Sequence, residues 1–178
     1  MLLIGERIYL RLLEPVDAAS ILSMTEDEEI RYMTGTKPRF TEQQIRQHIK
    51  IWADDPSRYD FAICLKENNE MIGDIALFDI NNDDKKAGFR IAMHEMGLTG
   101  KGYGPEAIEM MIHFVFLELK FNRLQLEVYS HNTRAIKAYR KLGFVKEGVL
   151  RDALLYDGNY SDEVIMSMLK TDYESIYT

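Results

Sequence analysis

Apolar residues change their spacing several times along these 178 residues, and each change marks a new element. Arg7 to Leu13, "RIYLRLL", alternates and predicts a first strand. Pro15 and Asp17 then mark a helix entrance ahead of "AASILSM". "TEDEEIRYM" and "TEQQIRQHIKIWAD" read as two further short helices, the second capped by Thr41. The middle of the chain changes character. Tyr59 to Lys66, Met71 to Asp79 and Lys86 to Met93 are strand-like runs separated by "ENNE" and "NNDDKK", spacers of hairpin length. They predict an antiparallel meander. Ile108, Met111, Ile112, Val115, Phe116 and Leu119 then fall on one helical face. In "RLQLEVYS" the period returns to two, with Leu124, Leu126 and Val128 on one side. Asn132 to Leu142 is a second amphipathic helix with Ala135, Ala138, Tyr139 and Leu142 inward, stopped by Gly143. Last, "FVKEGVLRDALLY" and "YSDEVIMSMLK" flank Asp157-Gly158-Asn159, a hairpin signal.

This order gives an α+β fold: a mixed, mostly antiparallel central sheet of about seven strands, flanked by helices. No repeat and no Pro/Gly/Ser linker interrupts it, so residues 1–178 read as one domain.

Composition narrows the partners. The net charge of −7 argues against nucleic acid, whose phosphates are bound by clustered cations. It favours cationic partners such as amines, through a diffuse and salt-screened field. Cys64 is the lone cysteine, so no internal disulfide forms and a reducing compartment is expected. It lies in the apolar run "DFAICLKE", where a buried structural thiol is expected and a nucleophile is not. Charges at Glu6, Arg7, Arg11 and Glu14 break up the start of the chain, and no window approaches the ~20 apolar residues of a membrane span. A cytoplasmic protein without a membrane partner is the expectation.

The densest chemistry lies in "LTGKGYGPEA", which packs glycines at a helix entrance. Gly102 to Ala107 fits G-x-G-x-x-A, the dinucleotide fingerprint, and Glu127 follows 20 residues after Ala107, at the offset of a ribose ligand. Against that reading, "HEMGLTGK" separates strand from glycine, and hairpin-linked strands stand upstream where a doubly wound fold needs alternating helices. No G-x-x-x-x-G-K-S/T is present. The same physics would hold another pyrophosphate. Amides from Gly100 to Gly104 line the loop's concavity, the helix N-terminus adds partial positive charge, and Pro105 sits where no amide donor is needed.

"TGKGYGPEA" followed by "NTRAIKAYRKLGF" resembles the GNAT N-acetyltransferase superfamily. The family's loop pattern, Q/R-x-x-G-x-G/A, has Gly102 and Gly104 at its glycine places, with Thr99 where Gln or Arg is usual. Its later pattern, N-x-x-A-x-x-x-Y-x-x-x-G-F, is matched by Asn132, Ala135, Tyr139, Gly143 and Phe144. "RLLEPVDAASIL" and "EGVLRDALLYDGNYSDEVIMSML" are similar to the branch of RimJ/RimL-like ribosomal-protein N-terminal acetyltransferases and bacterial spermidine acetyltransferases. The resemblance implies the acyl-CoA N-acyltransferase fold, acetyl-CoA as co-substrate without a metal, and a primary amine as acceptor. A protein N-terminus and a small amine such as a polyamine stand level as acceptors. It implies a cofactor site along Ile91, Ala92 and Met93, through Thr99, Gly100, Lys101, Gly102, Tyr103 and Gly104, and beside Asn132 and Ala135. An amide near Met93 would polarise the acetyl carbonyl, and Tyr139 would be the general acid to the leaving thiolate. Transfer would be direct in a ternary complex, and a homodimer is compatible with the family.

Each assignment has a plainer competitor. Tyr139 lies on an apolar helix face and fits a core residue, and Asn132 fits an N-cap. The general base stays open. Many relatives carry a glutamate where this chain has Lys86, ahead of Gly88; Glu127 and Asp74 are replacement candidates, with solvated surface the competing reading for Glu127. Lys137, Arg140 and Lys141 form a stripe able to meet an outer phosphate or water alone, and the acids of Thr25–Glu29 could receive a cation. His48, His94, His113 and His131 show no metal-ligand spacing. The competing function is a non-catalytic acetyl-CoA-binding module in regulation or scaffolding.

Overall fold

The computed structural model describes residues 1–178. The start of the chain forms a hairpin of β1 (Leu2–Ile4) and β2 (Ile8–Leu12), of which β2 carries the expected alternation. Three helices follow: α1 (Ala18–Glu26), α2 (Glu28–Thr34) and α3 (Glu42–Ala53). Asp27 caps α2 at Ile30 N, and Thr41 and Gln44 close a reciprocal capping box on α3. The meander is β3 (Tyr59–Leu65), β4 (Met71–Asn81) and β5 (Lys86–Met93), antiparallel throughout. Then come α4 (Tyr103–His113), β6 (Arg123–Tyr129), α5 (Thr133–Lys141), β7 (Val145–Tyr156), β8 (Asn159–Leu169) and α6 (Lys170–Tyr177).

All eight strands join one sheet in the order β1-β2-β3-β4-β5-β6-β8-β7, and only the β5–β6 pair is parallel. The eighth strand is β1, three largely exposed residues too short for alternation to reveal. One face of the sheet carries Ile8, Leu10, Phe61, Ile75, Phe89, Leu126 and Met166 in the main core with α4. The other face packs Ala62, Cys64 and Ala92 against α1, α2 and α3 through Ile21, Ile30, Ile45 and Ile49. Each large side chain so buried contributes about 1.5–3 kcal/mol relative to exposure. Cys64 is fully buried. No helix is long and apolar enough to cross a membrane.

The long apolar helix does not stay α-helical. Phe114–Glu118 widens to a π turn, and Phe114, Val115 and Phe116 are all buried. A regular 3.6-residue period would turn one of three consecutive side chains toward solvent. Tyr173 of α6 stacks on Phe116 at 5.0 Å and its hydroxyl meets His113 Nδ1 at 2.9 Å, which docks the final helix. Gly143 has φ +99°, and a Cβ there would lie 2.3 Å from Ile176 Cδ1. Glycine is required at that helix stop both by its backbone and by α6.

Candidate active site

β5 and β6 pair only at their beginnings. Lys86, Ala87 and Gly88 face Arg123, Leu124 and Gln125, and no pairing follows. Beyond Gly88, β5 stays on β4 as far as Gly73–Met93, while β6 stays on β8 as far as Tyr129–Glu163. The two strands therefore splay, and a sheet edge lies open inside the molecule. His94 N donates to Ile72 O at 2.8 Å, on the β4 side. Backbone alternation turns the amides of Met93 and Ile91 the other way, into the split.

The glycine loop closes one end of this slot. A short turn, Met96–Leu98, leads to Thr99, and Gly102 caps α4 in a left-handed conformation with φ +90°. Gly100, at φ +77°, has open space where a side chain would be. The amides of Gly100, Lys101 and Gly102 take no hydrogen bond within the loop, and the first turn of α4 leaves further donors unpaired. Gly104 approaches β5, its missing Cβ 3.9 Å from Met93 Sδ. Unpaired amides at a helix N-terminus make a site for phosphate oxygens.

A cavity of about 560 Å³ runs from this loop along the open edge of β5 to α5. Ile91, Ala92, Met93, Thr99, Gly100, Gly102, Gly104, Asn132, Ala135 and Tyr139 all line it. Lys101 and Tyr103 do not. Lys101 gives its carbonyl to Arg7 Nη1 at 2.9 Å, and the Tyr103 ring lies 4.8 Å from the Arg7 guanidinium carbon, both on the back of the loop. Sequence reasoning missed Arg134 and the α2 residues Ile30, Met33 and Thr34, which also line the cavity. Arg134 follows the motif residue Asn132 closely enough to have been noticed; α2 carries no comparable signal. Lys137 and Lys141 line the cavity and Arg140 does not.

Asn132 caps α5, its side chain accepting Ala135 N at 3.2 Å. Tyr139 is packed edge-on to Phe89 and Phe144, each ring centre 6.0 Å away. Burial pushes its phenol well above the ordinary tyrosine value, and no neighbouring group offsets this. The hydroxyl makes no hydrogen bond within the protein and keeps a little accessible surface where the residue lines the cavity. Tyr139 is thus a core residue along its ring and a cavity residue as well.

A second hollow of about 310 Å³ opens beside the first and shares Ile30, Ile91, Ala92, Asn132 and Tyr139 with it. Arg90, Glu127 and Tyr129 line this side. Arg90 is neutralised by Asp74 at 2.8 Å, with Asp60 4.0 Å away. Asp74 is therefore bound up in an ion pair and is not among the lining residues. Glu127 meets no cation; its near neighbour is Glu163, whose carboxyl is raised first by burial and then by Glu127 itself. Lys86 lies at the closed end of the split and pairs with Asp84 at 3.0 Å. In Thr25–Glu29, Thr25 lines the hollow while Glu28 pairs with Arg39 on the surface.

A splayed parallel pair, a glycine loop with free amides at one end and a buried tyrosine at the other thus meet in one cavity of an α+β fold. The sequence model of the acetyltransferase (GNAT) domain matches residues 7–145, and this chain belongs to that family. It is similar to the SPbeta prophage-derived uncharacterized N-acetyltransferase YokL of Bacillus subtilis (strain 168), at 31% identity over 96% of this chain and 94% of the relative. The spermidine N(1)-acetyltransferase of Vibrio cholerae is 25% identical over 95% of this chain and 96% of its own length. A crystal structure of the Vibrio cholerae spermidine N-acetyltransferase in complex with CoA and spermine superposes with a TM-score of 0.87. It is 24% identical and covers 94% of this chain and 98% of that one. The chain is a GNAT N-acetyltransferase. The family uses acetyl-CoA.

Proposed function

We propose that this protein moves the acetyl group of acetyl-CoA to a primary amine within a ternary complex. The observation that carries the reading is the split between β5 and β6, which joins the glycine loop, an open strand edge and Tyr139 in one cavity. Acetyl-CoA laid in the slot would meet loop amides with its pyrophosphate and the Ile91–Met93 edge with its pantetheine arm. The Met93 amide would donate to the acetyl oxygen as negative charge builds there. The acceptor enters through the second hollow, where a small cationic amine such as a polyamine, or a protein N-terminus, meets Glu127. Glu127 takes one proton from the bound ammonium, directly or through one water, which frees the nitrogen lone pair for attack. The amine nitrogen bonds to the carbonyl carbon, the carbon–sulfur bond breaks, Tyr139 protonates the departing thiolate, and the nitrogen's second proton passes to solvent, which in turn reprotonates Tyr139. The lone cysteine is buried in the sheet, so no acyl-enzyme is part of the scheme. The reaction needs no metal, and the cytoplasm, where acetyl-CoA and amines meet, is its place. A homodimer would most simply form on the exposed outer strand β7.

A thermal melt with 1 mM acetyl-CoA, against NADH and ATP, tests the donor. A site with a dissociation constant near 10 μM adds ~2.7 kcal/mol. Thiol release with spermidine and with short peptides then tests the acceptor. A melt shift with acetyl-CoA alone and turnover with one acceptor class is the expected result. A shift without turnover on any amine would make the chain a binding module, and a shift with NADH would overturn the reading of the loop.

A further inference from the structure

The glycine loop is held from behind by a residue 95 positions before Gly102 in sequence. Arg7, in the turn between β1 and β2, meets Glu106 of α4 with its own amide at 2.8 Å to Oε1 and with Nε at 3.1 Å to Oε2. Ile8 N adds a longer bond to Oε1 at 3.3 Å. The same guanidinium reaches past Glu106 to the Lys101 carbonyl at 2.9 Å and lies against the Tyr103 ring. Three bonds thus tie the Arg7–Ile8 backbone and guanidinium to Glu106, and the same guanidinium holds the loop through the Lys101 carbonyl and the Tyr103 ring.

Two glycines exist to admit the contact. A Cβ at Gly102 would lie 2.9 Å from Arg7 Nη2, and one at Gly5 would lie 2.7 Å from Glu106 Oε1. A side chain at Gly102 would therefore displace the Arg7 guanidinium, in addition to straining the left-handed φ. Burial works to raise the Glu106 carboxyl, but the Arg7 and Ile8 amides and the Arg7 side chain outweigh it and hold the group below the ordinary glutamate value. The carboxylate stays charged at neutral pH, as a clamp on a guanidinium requires.

We propose that Arg7 and Glu106 are positioning residues: they set, from outside the slot, the conformation in which Gly100 to Gly104 present their amides to the cofactor. The proposal rests on the reading of the slot as an acetyl-CoA site. Arg7 makes no contact with the cavity, so its effect passes through Lys101, Gly102 and Tyr103. A lysine is a poorer replacement, because it lacks the rigid planar fork that aims one donor at Glu106 and another at the Lys101 carbonyl while lying against the Tyr103 ring.

The test uses Arg7→Ala, Arg7→Lys, Glu106→Gln and the double variant Arg7→Ala/Glu106→Gln, each first melted without ligand to set a temperature at which it is folded. Loss of charge-assisted bonds worth about 1.5–3 kcal/mol should weaken acetyl-CoA binding by roughly 10–100-fold in calorimetric titration. The KM for acetyl-CoA should rise in step, and kcat should change less than KM does. The double variant should bind no worse than the weaker single variant, since the two residues act through one contact. Endoproteinase Lys-C supplies a readout that needs no cofactor: cleavage after Lys101 should speed up by about tenfold in the unliganded variants, with other lysines unaffected. Folded variants that bind within twofold of the parent and are cut no faster at Lys101 would overturn the proposal and leave the pair as a strut. Failure of the parent itself to bind acetyl-CoA would overturn the site reading instead, and the cleavage rates would still decide the clamp.

Discussion

Arg134 of α5 reaches across the slot to the glycine loop and bonds Thr99 Oγ1 through Nη1 at 2.5 Å. Thr99 stands where the family pattern has Gln or Arg, so the loop itself carries no long polar side chain at that place. The structure brings a guanidinium to the same spot from the opposite wall. A charged donor beside a pyrophosphate is worth about 1.5–3 kcal/mol. Arg134→Ala should therefore weaken acetyl-CoA binding by roughly 10–100-fold, and the loss should shrink as salt is raised. Thr99→Ala should change it by no more than about threefold, because the cation remains. Titration calorimetry at two salt concentrations checks both. Equal losses in the two variants would return the role to Thr99.

Tyr139 combines two demands that pull apart. Packing against Phe89 and Phe144 desolvates the phenol and raises its pKa, which makes it a weaker acid toward a thiolate whose conjugate thiol has pKa ~8.5. Proton donation then becomes favourable only as charge develops on sulfur. Its contribution should fall at the low end of general-acid effects, so Tyr139→Phe should lower kcat by about a hundredfold. The ring is kept, so folding and acetyl-CoA affinity should not change. An unaltered kcat would make Tyr139 a packing residue only.

Glu127 is the carboxylate of the acceptor side that no cation neutralises. An amine of pKa ~10 is neutral in only about one part per thousand at pH 7. Glu127→Gln should thus lower kcat/KM by about a hundredfold or more at neutral pH. Raising the pH should recover activity as the acceptor deprotonates without help. A pH–rate profile for both proteins checks this, and parallel profiles would mean that solvent serves as base.

Much of this was legible in the sequence because period and punctuation agree. β5 runs from Lys86 to Met93 as its alternation predicts, and Thr41, Asn132 and Gly143 cap or stop their helices as read. β1 and α6 were not legible, since three exposed residues carry no period and α6 is fixed by Tyr173 docking on Phe116. The loop shows the limit most clearly. Glycine spacing pointed to an anion site, yet the Cβ space at Gly102 is taken by Arg7, a tertiary contact that no local pattern encodes. The split between β5 and β6 is likewise invisible in either strand alone: it exists because each keeps its outer neighbour and not the other.

Asp17 contributes to how the fold responds to acid, together with the depressed carboxyl of Glu147, whose pKa Arg123 and Ser167 hold at about 2. Asp17 is buried at the entrance of α1, bonds both Arg11 nitrogens at 2.8 Å, and accepts Glu14 N at 2.8 Å. Burial pushes its carboxyl up, but Arg11 and the Glu14 amide outweigh it and leave the group below the ordinary aspartate value. A carboxyl depressed in the folded state contributes stability that is complete above its unfolded pKa, ~3.9, and is lost as pH falls through the folded value. Glu106, also depressed, adds to the same limb. The melting temperature should therefore be flat above pH ~7, ease down below ~6.5 as His94, whose pKa burial lowers, resists the charge it takes when unfolded, and fall steadily below pH ~4. Asp17→Asn should cost about 2–3 kcal/mol at pH 7, a drop of roughly 5–10 °C, by leaving Arg11 without its partner. The penalty should shrink as pH falls below the unfolded value, ~3.9, and vanish only where the parent's own depressed carboxyl is protonated. Differential scanning calorimetry of both proteins from pH 3 to pH 8 checks it, and a penalty independent of pH would assign Asp17 a packing role in place of an electrostatic one.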